Sequence, residues 1–253
     1  MYVLDGGIIR CDWSLLTAGR HMGQLIDVPI PMYYIEVDNK KVVVDTGMTP
    51  ECAEDPDKAW GPIAKVYKPI MKRENTLAGQ LKKIGVNPTD IDYVIQTHLH
   101  LDHAGSTKEC TKAEVLVQLN ELRYAFWPDI FQKLAYIKGD VIIPDIKYHP
   151  IEGGLSLFDG KIEIVPTPGH TPGHQSVIIR LPKSGSFIIT GDEVYMKENW
   201  EQMVLPGLGW SPVETIKSME KLKEIAKKEN AKVLYGHDPE LWKELLKVPK
   251  YYE

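Results

Sequence analysis

Four short apolar runs in this chain each end on a histidine or an aspartate. IDYVIQT (91–97) runs straight into HLHLDHAG (98–105), and KIEIV (161–165) into PTPGH, which ends at His170. SFII (186–189) leads into TGD, ending at Asp192, and AKVL (231–234) into YGHD, which carries His237. Runs this short and this rich in β-branched residues, closed by Gly and Pro, are strands. Ligating side chains gather at strand ends in layered α/β folds, because loops there can vary on a rigid base. A chain with this pattern is therefore expected to stack sheets under helices and to collect its polar chemistry at one edge.

The rest of the chain fits layers of sheet covered by helices. MYYIEVDN followed by KKVVVDTG reads as two strands joined by a tight Asp-Asn turn. AEVLVQ and QSVIIRL read as two more. Asn75 is expected to cap a helix through Leu77, Leu81 and Ile84 that Gly85 ends. The clearest helix start is Ser211-Pro212 with Glu214 behind it, an N-cap, an N1 proline and a capping-box acid. Val213, Ile216, Met219, Leu222 and Ile225 recur every three residues after it and are expected to form the buried face.

Composition narrows the function. At 253 residues the chain can bury a core without staples. No run of 18 apolar residues occurs, so no helical membrane span is expected. The start, MYVLDGGIIR, lacks the pattern of a secretory signal. The net charge of −5 and the absence of a basic cluster argue against nucleic acid as a partner. Three cysteines, at 11, 52 and 110, form no CxxC and read as reduced thiols in a cytoplasmic protein.

The segment 98–103 carries chemistry by itself. In extended backbone, residues i and i+2 point the same way roughly 6.5–7 Å apart. His98 and His100 can therefore converge on one cation, while Asp102 and His103 can serve a second after the turn at Ala104-Gly105. Imidazole nitrogen with carboxylate oxygen suits zinc and also iron, cobalt or manganese. Three histidines and an aspartate within six residues are hard to read as an ordinary surface loop.

HLHLDH at 98–103, TPGH at 167–170, GD at 191–192 and GHD at 236–238 follow the order of the markers of the metallo-β-lactamase superfamily, which this chain resembles. The resemblance implies an α/β (α+β) fold, a four-layer αββα sandwich of two mixed sheets face to face with helices outside, in a single domain over 1–253. It implies two divalent metal ions, zinc foremost: His98, His100 and His170 on one, Asp102, His103 and His237 on the other, and Asp192 bridging. Asp45, in VVVDTG, matches a position that supports the site from behind. A narrower resemblance, in THLHLDHAG, TPGHTPGHQS and Asp192–Tyr195 with KEN following, is to the N-acyl-homoserine lactonases, the quorum-quenching enzymes. In those enzymes a tyrosine three residues after the bridging aspartate contacts the substrate, and Tyr195 holds that place. The segment 50–73 carries no motif to align. His174 fits a structural role, and His21 and His149 read as surface residues.

The expected reaction is opening of a lactone ring. Two ions about 3.5–4 Å apart share a water and lower its pKa, so that a bridging hydroxide can attack the carbonyl. Tyr195 would donate to the developing oxyanion or to the ring oxygen, and Asp102 would carry a proton to the departing ring oxygen. No GxSxG or comparable nucleophile motif is present. Met22, Trp60, Tyr67, Met71, Trp127 and Phe131 are candidates for an apolar acyl channel. The partner is a small lactone, with no nucleic acid or membrane, and a homodimer remains open. Other hydrolases on the same site would keep most of these ligands: a pyridoxolactonase-like enzyme, a glyoxalase-II-like thioesterase or a β-lactamase. An oxygen reductase of the flavodiiron type usually places an acid at one of the first histidines and carries a flavin domain for which no length remains here.

Overall fold

The computed structural model describes residues 1–253. Seven strands form the first sheet: β1 (Tyr2–Asp12), β2 (Leu25–Val37), β3 (Lys40–Val44), β4 (Lys68–Ile70), β5 (Tyr93–Ile95), β6 (Glu114–Gln118) and β7 (Lys147–Ile151). Their order is β4-β1-β2-β3-β5-β6-β7. Five strands form the second: β8 (Leu155–Leu157), β9 (Ile162–Pro166), β10 (Gln175–Leu181), β11 (Gly185–Ile189) and β12 (Lys232–Leu234), in the order β12-β11-β10-β9-β8. The helices are α1 (Pro56–Trp60), α2 (Leu77–Lys82), α3 (Leu119–Phe126), α4 (Lys138–Val141), α5 (Lys197–Gln202), α6 (Pro212–Glu229) and α7 (Pro239–Glu244).

Strand alternation builds the layers. Val42 and Val44 face a core shared with Val177, Ile179, Phe187 and Ile189 of the other sheet. Val43, between them, faces outward onto Leu77 and Leu81 of α2. Ile178 and Ile188 likewise face outward, onto Met219 and Leu222 of α6. Successive strand residues point to opposite faces, so a strand buried on both faces reads as a continuous apolar run. The result is the expected αββα sandwich of two mixed sheets.

Direction places the chemistry. β3, β5, β6 and β7 run parallel to one another. β9 and β11 are both antiparallel to β10, and β12 is parallel to β11, so these three also share a direction. The loops bearing His98–His103, His170, Asp192 and His237 each follow one of these parallel strands and meet at one edge of the sandwich.

Local expectations hold in part. Asp38 and Asn39 join β2 to β3 with φ of 48° and 61°, as a type I′ hairpin turn requires. The helix after Asn75 is capped by Thr76, whose hydroxyl accepts the Gly79 N–H; Asn75 instead accepts from Lys72 in the preceding turn. Ser211 caps α6, but Glu214 pairs with Lys217. The α6 stripe is narrower than expected. Met219 and Leu222 are buried, whereas Val213 is 60% and Ile216 40% exposed. Steps of three fall about 60° short of a full helical turn, so a five-residue stripe at that spacing winds off the buried face. No helix is long and apolar enough to cross a membrane.

Candidate metal centre

Two buried clusters of potential ligands meet at the sandwich edge. His98, His100, His170 and Asp192 form one, and Asp102, His103, Asp192 and His237 the other, with the ligating atoms of each within 4.8 Å of one another. Asp192 belongs to both. Its Oδ2 lies 3.4 Å from His170 Nε2 and 3.7 Å from His98 Nε2. Its Oδ1 lies 3.1 Å from both His103 Nε2 and His237 Nε2. Asp102 Oδ2 is 3.6 Å from each of the same two nitrogens.

The hydrogen bonds behind the rings fix which nitrogen faces inward. His237 Nδ1 donates to the Pro29 carbonyl at 2.9 Å, which turns Nε2 toward the cluster. His103 Nδ1 donates to Asp45 Oδ2 at 2.8 Å, with the same consequence. The Thr97 hydroxyl donates to Asp45 at 2.7 Å, so at 3.0 Å from His98 Nδ1 it accepts, and His98 also presents Nε2 inward. Nε2 of His98, His103 and His237, with Asp192 Oδ1, are buried and have no hydrogen-bond partner. Polar atoms so enclosed are normally satisfied. Unpartnered nitrogens and carboxylate oxygens converging in this way fit divalent cations, and orientation of each ring by an outer partner is the usual arrangement at such sites.

Electrostatics divides the two clusters. Burial holds His98, His100 and His170 below the usual histidine range, so they stay neutral and able to ligate. Burial acts the same way on His103 and His237, but Asp192 and Asp102 outweigh it and raise them. Burial in turn pushes Asp192 up, and His103 and His237 overcome it, holding that carboxylate ionised.

Several supporting residues escaped the sequence reading or gain a sharper role. Asp45 sits at the end of β3 with φ 56° and also accepts the Thr97 N–H at 2.8 Å. His174, expected to be structural, is buried and accepts the Asp192 N–H on Nε2 at 3.1 Å, so its Nδ1 carries the hydrogen that reaches the Thr167 carbonyl. Gly191 is close to that ring: a Cβ there would fall 2.6 Å from His174 Nε2. Glu193 accepts the His170 N–H at 3.0 Å, and burial pushes its carboxyl up to about 8. His21 is not a free surface residue; it stacks on Trp13 at 3.9 Å and meets Glu198. These roles depend on contacts between distant segments, which no local motif marks.

A cavity of about 370 Å³ opens beside the clusters. His100, Asp102, His170, Asp192 and Tyr195 form its floor, and three segments wall it with Ile63, Val66, Tyr67, Phe131, Leu134 and Leu208. Tyr195 is 1% exposed, and its oxygen lies 3.2 Å from His170 Nδ1. The Tyr67 hydroxyl donates to Asp102 Oδ2 at 3.3 Å. Of the six channel candidates, Tyr67 and Phe131 reach the wall and four do not. Trp60 is buried behind Tyr67, stacked at 6.5 Å, and Met71 belongs to the same core. Met22 and Trp127 point to solvent, 77% and 90% exposed. Aromatic and Met content marks apolar positions but not which side of a wall they occupy.

The family model described as the metallo-beta-lactamase superfamily matches residues 25–237. The N-acyl homoserine lactonase AttM of Azorhizobium caulinodans is 35% identical over 258 residues, covering 100% of this chain and 98% of that protein. The N-acyl homoserine lactonase AiiA of Bacillus thuringiensis subsp. kurstaki is 34% identical over 253 residues, covering 99% and 98%. A 1.4 Å structure of an N-acyl homoserine lactone hydrolase, with the product N-hexanoyl-L-homoserine bound at its catalytic metal centre, superposes with a TM-score of 0.90 at 32% identity, covering 99% of this chain and 98% of that one.

Proposed function

Starting from the fact that the chain belongs to the metallo-beta-lactamase superfamily, we propose that it is an N-acyl-homoserine lactonase that opens the lactone ring by hydrolysis. The observation that carries the reading is the pair of ligand clusters sharing Asp192, with unpartnered imidazole nitrogens turned inward beside an apolar cavity. Full-length similarity to proteins named N-acyl homoserine lactonases supports it.

The fold and the two clusters together imply a site for two divalent ions. We assign them to zinc, which matches a set made only of imidazole and carboxylate. Bound there, they would supply a water acidic enough to yield hydroxide near neutral pH and an electrophilic contact for a carbonyl. His98, His100 and His170 would hold one and Asp102, His103 and His237 the other, with Asp192 presenting a separate oxygen to each cluster. Tyr195 donates its O–H to the carbonyl oxygen as charge builds on it. Its own proton stays in place, because burial raises the phenol well above its usual range. Asp102 takes the proton released when water adds to the carbonyl carbon and returns it to the ring oxygen as that C–O bond breaks. Tyr67 steadies the Asp102 oxygen through its hydrogen bond. Ile63, Val66, Phe131, Leu134 and Leu208 give the acyl chain an apolar wall. We take residues 1–253 to act as one domain: the Met1 amine donates to the Tyr252 carbonyl at 2.7 Å, and the sheets share one core.

Proton release on mixing zinc-loaded protein with N-acyl-homoserine lactones of several chain lengths tests the reading, alongside a thioester and a chromogenic β-lactam. Turnover of the lactones well above the other two is expected. A preference for the thioester or the β-lactam would replace this reading with another hydrolase on the same site.

A further inference from the structure

A carboxylate that touches none of the candidate ligands lies directly behind one of the two clusters. Glu121, in the first turn of α3, is fully buried. Its Oε1 accepts the Leu99 N–H at 2.9 Å and the Tyr136 hydroxyl at 3.0 Å. Its Oε2 accepts the Thr171 hydroxyl at 2.5 Å, and the Gly173 N–H faces the same group. Gly173 comes so close that a Cβ would fall 2.0 Å from the Glu121 nitrogen.

Three of these four donors adjoin a ligand of the same cluster. Leu99 lies between His98 and His100. Thr171 follows His170. The Tyr136 ring stands edge-on to His100 at 4.6 Å. Burial raises the Glu121 carboxyl above its usual range, and the four donors offset part of that rise by favouring the ionised form. An ionised carboxylate only accepts, so it can satisfy several donors at once, whereas an amide of the same shape turns two of its own donors toward them. The other cluster is anchored elsewhere, through Asp45 behind His103 and the Pro29 carbonyl behind His237.

We propose that Glu121 is a positioning residue for the His98–His100–His170 cluster alone, so that its loss loosens one metal ion of the pair and leaves the other. This rests on the two-ion reading above. Its signature is asymmetry, which a general weakening of the fold would not produce.

Zinc affinity is measured by chelator competition on metal-free protein. Wild type should bind two ions. Glu121→Gln should weaken one by about 10- to 100-fold, the range for losing an outer partner of a metal ligand, with the other within about threefold of wild type. Added to His237→Ala, which leaves the first cluster whole, Glu121→Gln should produce that same loss; added to His170→Ala it should produce little. Thr171→Val and Tyr136→Phe each remove one donor and spare the carboxylate, and should loosen the same ion by less; they decide the matter if Glu121→Gln does not fold. Two ions in wild type with both weakened equally, or neither, overturns the role of Glu121. Fewer than two ions in wild type overturns the two-ion reading, and this inference falls with it.

Discussion

Tyr195→Phe removes one oxygen from the cavity floor, and the surrounding geometry sets what that should cost. The Tyr195 oxygen lies 3.2 Å from His170 Nδ1. If His170 presents Nε2 to a cation, Nδ1 carries the hydrogen, which the tyrosine oxygen accepts together with the Leu208 carbonyl at 3.4 Å. The phenolic O–H is then left to donate into the cavity. A preorganised donor to an oxyanion is typically worth about 10²–10³-fold in kcat. Here a cation would share the charge, which places the loss lower, at about 10–100-fold, or about 1.4–2.7 kcal/mol. Burial keeps the phenol protonated through the neutral range, so the loss should not vary between pH 6 and 9. The assay is initial-rate proton release from a hexanoyl lactone, with metal content determined on the same samples. kcat should fall, KM should change little, and two ions should remain. A kcat/KM within twofold of wild type with both ions bound would refute the donor role. Loss of an ion together with the rate would instead make Tyr195 a support for His170.

Three further outcomes follow from the same geometry. Asp192→Asn leaves one oxygen where two face separate clusters, and should weaken metal binding by more than the about 10–100-fold typical of an outer partner, with most activity gone; full turnover with two ions bound would exclude the bridge. Phe131→Ala strips apolar wall from the cavity mouth, and at about 0.8 kcal/mol per buried methylene it should lower kcat/KM for a decanoyl lactone about 3- to 10-fold and for a butanoyl lactone less than twofold; an equal response at both lengths would remove that wall from the channel. Asp140 is pushed from its usual 3.8 up to about 7 by burial, with Lys108 pulling it back only in part. A raised acid gives stability that is fully present below about pH 4 and lost as pH rises through about 7, worth at most about 4 kcal/mol for this gap. Asp140→Asn should therefore gain thermal stability over wild type as pH rises from 4 to 8, and a gain that shrinks over that range would contradict the shift.

The ligand clusters were legible in the sequence because strands announce themselves locally. VVV, YVI and FII are apolar on both faces, and the residues that follow them must emerge at a sheet edge. Parallel direction then brings four edges together, so knowing that His98, His170, Asp192 and His237 each end a strand nearly determines that they meet. The same logic made the Asp38-Asn39 turn readable, since φ above zero at both positions selects those residue types. It failed where the pattern is diluted. β1 has a register shift between Asp5 and Ile8, and β7, KYHPI, is an edge strand with polar outer residues. Its neighbours identify it, not its composition.

What supports the clusters was hidden for a different reason. Glu121 draws its donors from 15, 22 and 50 residues away. An acid in the first turn of a helix after a strand has an ordinary local explanation in the helix dipole, and nothing nearby separates that from a buried anchor. Yet β6 belongs to the same parallel set as β3 and β5, so α3 begins at the sheet edge where the ligand loops emerge. The rule that located the ligands, polar residues just beyond the C-terminal ends of parallel strands, therefore reaches the acids that hold them: Asp45 after β3, Glu121 after β6 and Glu193 after β11. Glu121 and Glu193 stand behind the first cluster alone, while Asp45 bonds His103 of the second directly and meets the first only through Thr97; if the asymmetric loss of zinc from Glu121→Gln is found, this uneven anchoring of the two halves is already written in which strand each acid follows.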